Sequence, residues 1–220
     1  MNWTIPNILT TLRLLAAPGL VVMFLYFTRP WADWFALLLF VSAAVTDWFD
    51  GYLARLWKQE SKLGAMLDPI ADKAMVVIAL LVITGYAGMD PWILLPATVI
   101  MFREVFVSGL REFLGDTAGT LKVTKLAKWK TTAQMVSIAV LFATGIFQHM
   151  LIERTVGMDS AVIAEIFEGG DDPLNLRVIQ QAYWLTWWVG VALLWVAAVL
   201  TLVTGFDYFR KSLPYLKEET

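Results

Sequence analysis

Four aspartates and a lysine stand close together in the first third of this 220-residue chain, within stretches that are otherwise apolar: Asp47, Asp50, Asp68, Asp72 and Lys73. A carboxylate at the centre of a bilayer costs roughly 2.5–3.5 kcal/mol on insertion scales, so four would cost on the order of 10 kcal/mol. Placement near one end of a span lowers the cost but still calls for a reason. Helical spacing supplies one. Asp47, Asp50, Gly51, Ala54 and Arg55 fall at i, i+3, i+4, i+7 and i+8, one stripe on one helix face. Gly64, Asp68 and Asp72 fall at i, i+4 and i+8, a second stripe. At about 1.5 Å rise per residue each stripe is about 12 Å long. Two helices joined by a short turn bring such stripes to overlapping depth, where the four carboxylates converge.

Converging carboxylates repel one another unless cations sit among them. Hard oxygen ligands select Mg²⁺ or Mn²⁺ over softer metals. Four of them suffice for a pair of ions, a standard device for phosphoryl displacement. Gly51 and Gly64 let a ligand approach the backbone, and Arg55 offers a bidentate donor suited to phosphate. Small residues also serve plain helix packing in membranes; it is the full register of acids and small residues on both stripes that favours function. Lys73 reads equally as a counter-ion to the cluster or as a catalytic group. Pro69, next to Asp68, bends or begins its helix.

The elements that must hold these stripes are membrane spans. The chain is 59% hydrophobic and 16% charged, with a mean hydropathy of +0.65, whereas soluble domains sit nearer 45–50% apolar and about 25% charged. The net charge of −2 gives no sign of a nucleic-acid partner. The absence of cysteine excludes disulfides, zinc thiolates and thiol nucleophiles, and the single His149 argues against a histidine triad or a multi-histidine metal site. No basic n-region or cleavage pattern opens the sequence, so no removable signal peptide is expected. Six stretches reach the length a span needs: Leu12–Phe27, Ala32–Trp57, Ala65–Tyr86, Pro91–Leu114, Thr131–Gln148 and Gln181–Phe206. Residues 2–11 read as a short amphipathic helix lying on the interface. The expected fold is therefore an all-α integral membrane protein, six transmembrane helices preceded by that interfacial helix, forming one domain over residues 1–220.

Lysine and arginine set the orientation. Arg55, Lys58 and Lys62 follow span two; Lys122, Lys125, Lys128 and Lys130 precede span five; Arg210, Lys211 and Lys217 close the chain. The other side has Arg29, Arg154 and Arg177. The positive-inside rule puts both termini in the cytoplasm. Residues 150–180, an acidic outer insertion, read as a solvated loop with one short helix. Trp31, Trp34, Trp92, Trp184, Trp187 and Trp188 read as interfacial anchors on that outer side.

The run from Asp47 to Asp72 resembles the signature of the CDP-alcohol phosphotransferase family, D-x2-D-G-x2-A-R-x8-G-x3-D-x3-D, with all eight fixed residues present over 26 positions. The resemblance implies six transmembrane helices, a homodimer and a site open to the cytoplasm at the inner (cytoplasmic) membrane. It implies divalent metal, Mg²⁺ or Mn²⁺, at Asp47, Asp50, Asp68 and Asp72, with Asp72 as general base. It also implies contact of CDP-diacylglycerol with Asp50, Gly51, Ala54, Arg55 and Gly64. Within the family, Ile5-Pro6-Asn7-Ile8-Leu9-Thr10 with Arg13, Val45-Thr46-Asp47, Asp68-Pro69-Ile70-Ala71-Asp72-Lys73, Arg103-Glu104, Leu110-Arg111-Glu112 and Lys128 through Met135 resemble the phosphatidylglycerophosphate synthase branch. That branch passes a phosphatidyl group from CDP-diacylglycerol to sn-glycerol 3-phosphate, beside membrane lipid, on the way to phosphatidylglycerol and cardiolipin.

Glycerol 3-phosphate carries a phosphate that takes no part in bond making, and something must hold it. Arg103 and Arg111, eight residues apart, share a face of span four, and Lys128 and Lys130 precede span five on the same side. Arg103, Arg111, Lys128 and Lys130 are the expected acceptor-phosphate clamp, with Lys128 the favoured lysine because residues 128 and 130 point apart on a helix. The lysines also satisfy the positive-inside rule or contact with anionic lipid without any such role. The rivals are another acceptor (serine, inositol phosphate or phosphatidylglycerol) on the same fold, and a divalent-cation transporter. The transporter fits poorly, because the acids gather at one end and form no row across the membrane.

Overall fold

The structure, a computed structural model, describes residues 5–57, 62–115, 119 and 126–216, and the side chains of these except at positions 5, 6, 47–57, 62 and 65. Among the described residues there is no strand. The described residues form seven α-helices in succession: α1 (Ile5–Tyr26), α2 (Trp31–Trp57), α3 (Lys62–Tyr86), α4 (Pro91–Leu114), α5 (Leu126–Thr155), α6 (Ser160–Glu168) and α7 (Leu176–Ser212). A 3-10 turn at Leu213–Tyr215 comes after α7. Four stretches are long and apolar enough to cross a membrane, Asn7–Tyr26, Pro91–Leu114, Leu126–Thr155 and Leu176–Tyr215, and Trp31–Thr46 is a shorter apolar one. They turn large apolar side chains outward, among them Leu15, Leu25, Phe102, Val105, Leu185 and Phe206. A surface of that kind suits lipid, as does backbone hydrogen bonding satisfied within helices. Trp31, Trp92, Trp184 and Trp188 are exposed as well.

Two compact units are built from discontinuous pieces: Met1–Ile83 with Ile138–Gly190, and Thr84–Ser137 with Val191–Thr220. In the first unit α1 and α2 pack along small and large apolar residues, Ala17 and Leu20 from one, Ala32, Ala36 and Phe40 from the other, all buried. Phe142 of α5 joins them, its ring 6.1 Å from Phe24 and 6.0 Å from Phe40. Asp33, buried in the first turn of α2, accepts two bonds from Arg29, at 2.7 and 2.6 Å. Gly145 leaves room for that pair, since a Cβ there would collide with Asp33 Oδ1. A Cβ at Gly190 would lie 2.8 Å from Leu141, so α5 and α7 approach closely at that point.

Three sequence expectations change in this unit. Among the described residues there is no separate interfacial helix: residues 5–11 belong to α1, which runs unbroken to Tyr26, and residues 2–4 of the expected element lie outside the described residues. Asn7, Thr10 and Arg13, polar residues of this helix, are buried. They share a stripe, at spacings of three and four residues, with Ala17 and Leu20, so one face serves polar and then apolar neighbours. Pro69, expected to bend or begin its helix, does not begin it; it lies inside α3. The insertion at 150–180 is more helix than loop. The end of α5, the whole of α6 and the first turn of α7 occupy much of it. Caps explain where these helices stop. Asp159 accepts from Ala161 N–H at 2.9 Å, and Gly169, at φ 117°, ends α6 with its N–H on Glu165 and Ile166 carbonyls. Asp172 accepts from Leu176 and Arg177 N–H at 2.8 and 3.0 Å, starting α7. At 37 residues α7 is about 55 Å long, beyond a hydrocarbon core of about 30 Å, which is why apolar run length understated it.

The second unit starts at a capped turn. Asp90 accepts from Trp92 N–H at 2.8 Å with Pro91 at the first helical position of α4. Val107, Leu110 and Leu114 of α4 pack with Tyr208 of α7, and the rings of Phe106 and Phe209 lie 5.7 Å apart. Trp195 Nε1 donates to the Trp92 carbonyl at 3.0 Å. Gly205 brings α7 against Arg103, whose Cγ would lie 2.9 Å from a Cβ there.

Candidate active site

In the first unit, α2 carries Asp47, Asp50, Gly51, Ala54 and Arg55 on an unbroken helix, so the backbone keeps them in helical register. Their side chains lie outside the described residues. α3 holds Gly64, Asp68 and Asp72 in the same way through Pro69. Arg13 from α1 joins the two aspartates. Its Nη2 donates to Asp68 Oδ1 at 3.3 Å, and its Nη1 lies 3.3 Å from Asp72 Oδ1. Thr10 Oγ1 donates to the same Asp68 oxygen at 2.7 Å. The Arg13 side chain is 3% exposed, while those of Asp68 and Asp72 are 50% and 54% exposed. A buried guanidinium and a buried hydroxyl thus fix two carboxylates that remain open on their other side. An arginine fork bridging two carboxylates orders them more strictly than a lysine would.

Thr10 and Arg13 were not among the expected site residues. Their signal was available: a polar stripe every three residues at the start of an otherwise apolar helix. The counter-charge to Asp68 and Asp72 comes at least in part from Arg13, a helix away in sequence, so Lys73 does not bear that role alone.

The second unit holds the cationic group. Lys130 is buried and pairs with Glu104 through a short Nζ–Oε1 contact. Arg103 Nη1 donates to the same Glu104 oxygen at 3.2 Å. Arg111 lies exposed over the ring of Tyr208, its guanidinium carbon 5.3 Å from the ring centre. Lys130 and Arg103 thus share the Glu104 carboxylate, and Arg103 and Arg111 both act electrostatically on Lys130. Of the two lysines it is Lys130 that turns inward, and Lys128 is exposed. The expectation had favoured Lys128; the face of α5 that packs inward runs through Lys130, Gln134, Ser137, Ile138 and Leu141, and position 128 is off it. Glu104, the acid that makes burial of Lys130 tolerable, was likewise missed as a site residue. Lys58, Lys122, Lys125 and Lys217 lie outside the described residues, as does the side chain of Lys62.

Apolar helices that carry an anchored pair of aspartates and a cationic cluster are consistent with a multi-pass helical membrane protein. The chain matches the CDP-alcohol phosphatidyltransferase family over residues 3–203. It is 66% identical, over the whole of both chains, to the CDP-diacylglycerol–glycerol-3-phosphate 3-phosphatidyltransferase of Cereibacter sphaeroides. It is 39% identical to the protein of that name in Pectobacterium atrosepticum, over 96% of this chain and 95% of the other. For the one in Salmonella choleraesuis the identity is 36%, over 94% of each chain. The chain belongs to the CDP-alcohol phosphatidyltransferase family.

Proposed function

We propose that this chain transfers the phosphatidyl group of CDP-diacylglycerol to sn-glycerol 3-phosphate, forming phosphatidylglycerophosphate and releasing CMP. The observation that carries this reading is full-length similarity to relatives named for that reaction. The anchored aspartates, and separately the cationic cluster, are groups of the kinds it needs.

Arg13 and Thr10 hold Asp68 and Asp72 in place. Asp72 takes the proton of the acceptor's primary hydroxyl as that oxygen attacks the lipid-linked phosphorus. The bond from this phosphorus to the CMP oxygen breaks, and CMP leaves. An aspartate has an ordinary pKa near 4, but it serves as a base here because the proton departs while the new bond forms. Arg55, with Gly51, Ala54 and Gly64, attends the nucleotide diphosphate. Arg103, Arg111, Lys130 and the exposed Lys128 grip the acceptor's phosphate.

Asp68 and Asp72 offer hard, half-exposed oxygens anchored from behind, a donor set that fits Mg²⁺ or Mn²⁺ once Asp47 and Asp50 complete it. When bound, such ions neutralise charge that builds on the phosphate oxygens. The reading includes six spans, with α2 and α3 completing the set, both termini and the site facing the cytoplasm of the inner membrane, and a homodimer.

The test is acceptor competition: purified protein, labelled CDP-diacylglycerol, and glycerol 3-phosphate, serine, inositol phosphate or phosphatidylglycerol in turn, with and without chelator. CMP release with glycerol 3-phosphate alone, lost on chelation and restored by Mg²⁺ or Mn²⁺, is expected. Release with another alcohol instead would transfer the chain to a different branch. Engineered cysteines at positions 58 and 165, labelled from opposite sides, test the orientation.

A further inference from the structure

The cationic cluster does not account for every buried polar atom in its unit. Gln134 follows Lys130 by one helical turn on the inward face of α5, about 6 Å further along the axis. The residue is 3% exposed, and among the described residues its side-chain carbonyl Oε1 meets no hydrogen-bond donor. In the same unit Thr201 and Tyr208 of α7 also bury hydroxyls that no described group bonds. A buried acceptor left unpaired is costly and uncommon, and a ligand is one of the few things that explains it.

A phosphate cannot satisfy Oε1, because an ionised phosphate presents acceptors and Oε1 needs a donor. An alcohol can. On the reading above, the acceptor's phosphate lies against Lys130. One turn deeper, the group of glycerol 3-phosphate within reach that carries a proton and takes no part in the reaction is its secondary hydroxyl. We infer that Gln134 is a specificity-determining residue that accepts a hydrogen bond from the free secondary hydroxyl of the acceptor, one turn beyond the phosphate grip at Lys130. This rests on the proposed use of glycerol 3-phosphate and adds which part of that molecule is read.

The probe is 3-hydroxypropyl phosphate, which keeps the reacting primary hydroxyl and the phosphate and lacks only the secondary hydroxyl. A site built to bond a hydroxyl leaves its own polar group stranded when the hydroxyl is missing. Wild-type protein should therefore favour glycerol 3-phosphate over the analogue by roughly 10- to 100-fold in kcat/KM. Gln134→Met, apolar and of similar length, should lower kcat/KM for glycerol 3-phosphate toward that of the analogue and leave the analogue itself nearly unchanged. A wild-type ratio near one, or a ratio that survives in Gln134→Met, overturns the assignment while CMP release with glycerol 3-phosphate keeps the reaction intact. No CMP release from wild type with glycerol 3-phosphate sinks the reaction and the assignment together. The wild-type ratio needs no variant, so the inference stays exposed to refutation even where Gln134→Met does not fold.

Discussion

Arg13 Nη1 stands 3.3 Å from Asp72 Oδ1, with the guanidinium buried and the carboxylate half open. The residue that anchors Asp72 thus approaches from α1, and the carboxylate stays open on its other side. The other arm of the same fork reaches Asp68, so one side chain sets the spacing of two acids. Arg13→Ala should lower CMP release roughly 10- to 100-fold, the order expected when charge-assisted hydrogen bonds are lost. Arg13→Lys should recover part of that, since it returns the charge without the fork. Near wild-type activity in both variants would mean that geometry at Asp68 and Asp72 does not depend on the fork.

Asp72→Asn should purify folded, bind CDP-diacylglycerol and lose turnover by about 10²–10⁴-fold, the usual contribution of a positioned base. Donor binding is read by equilibrium dialysis and turnover by CMP release. Near-normal turnover would remove Asp72 from the base role.

Glu104 and Lys130 form a pair whose two halves should behave differently. Glu104→Gln strands a buried ammonium beside two further cations, and breaking a buried pair in this way costs about 3–5 kcal/mol. Lys130→Met leaves Glu104 with Arg103 and should be milder in thermal unfolding in detergent. It should instead raise KM for glycerol 3-phosphate well above the change for CDP-diacylglycerol. The double variant should be more stable than Glu104→Gln alone. A double variant no more stable than Glu104→Gln would show that the pair is not coupled.

Asp172 makes the start of α7 sensitive to acid. Burial raises its pKa, but the backbone N–H groups of Arg177 and Leu176 and the Arg177 guanidinium outweigh that and hold the carboxyl below its usual range. A depressed carboxyl pKa adds stability that is full above the unfolded value near 3.9 and is lost as pH falls through the folded value. Asp172→Ala should therefore unfold at lower temperature than wild type at pH 7, with the gap closing as pH falls below the ordinary carboxylate range. A gap that persists unchanged in strong acid would refute the charge-based account.

Much of the site was legible in the chain itself. The signature from Asp47 to Asp72 carries its own register, because an unbroken helix puts residues three and four apart on one face whatever surrounds it. That α2 and α3 are continuous through Asp50 and Pro69 is what makes the register hold. Apolar run length likewise located every long helix, although it misjudged ends. It stopped α5 at Gln148 and began α7 at Gln181, since polar residues beyond the hydrocarbon core stay helical when caps such as Asp172 satisfy their backbone.

What the sequence alone determined about this protein was its all-helical, apolar character, its family and the acids that share a face, all properties of composition and of spacing within one helix. Only the tertiary structure decided which side chains meet across helices. It turned Asn7, Thr10 and Arg13 inward and gave Asp68 and Asp72 a buried arginine for an anchor. It chose Lys130 over Lys128 for the interior and set Glu104 beside it. Those choices depend on which face of each helix is packed against a neighbour, and that face is fixed by partners distant in sequence, so local periodicity carries no record of it.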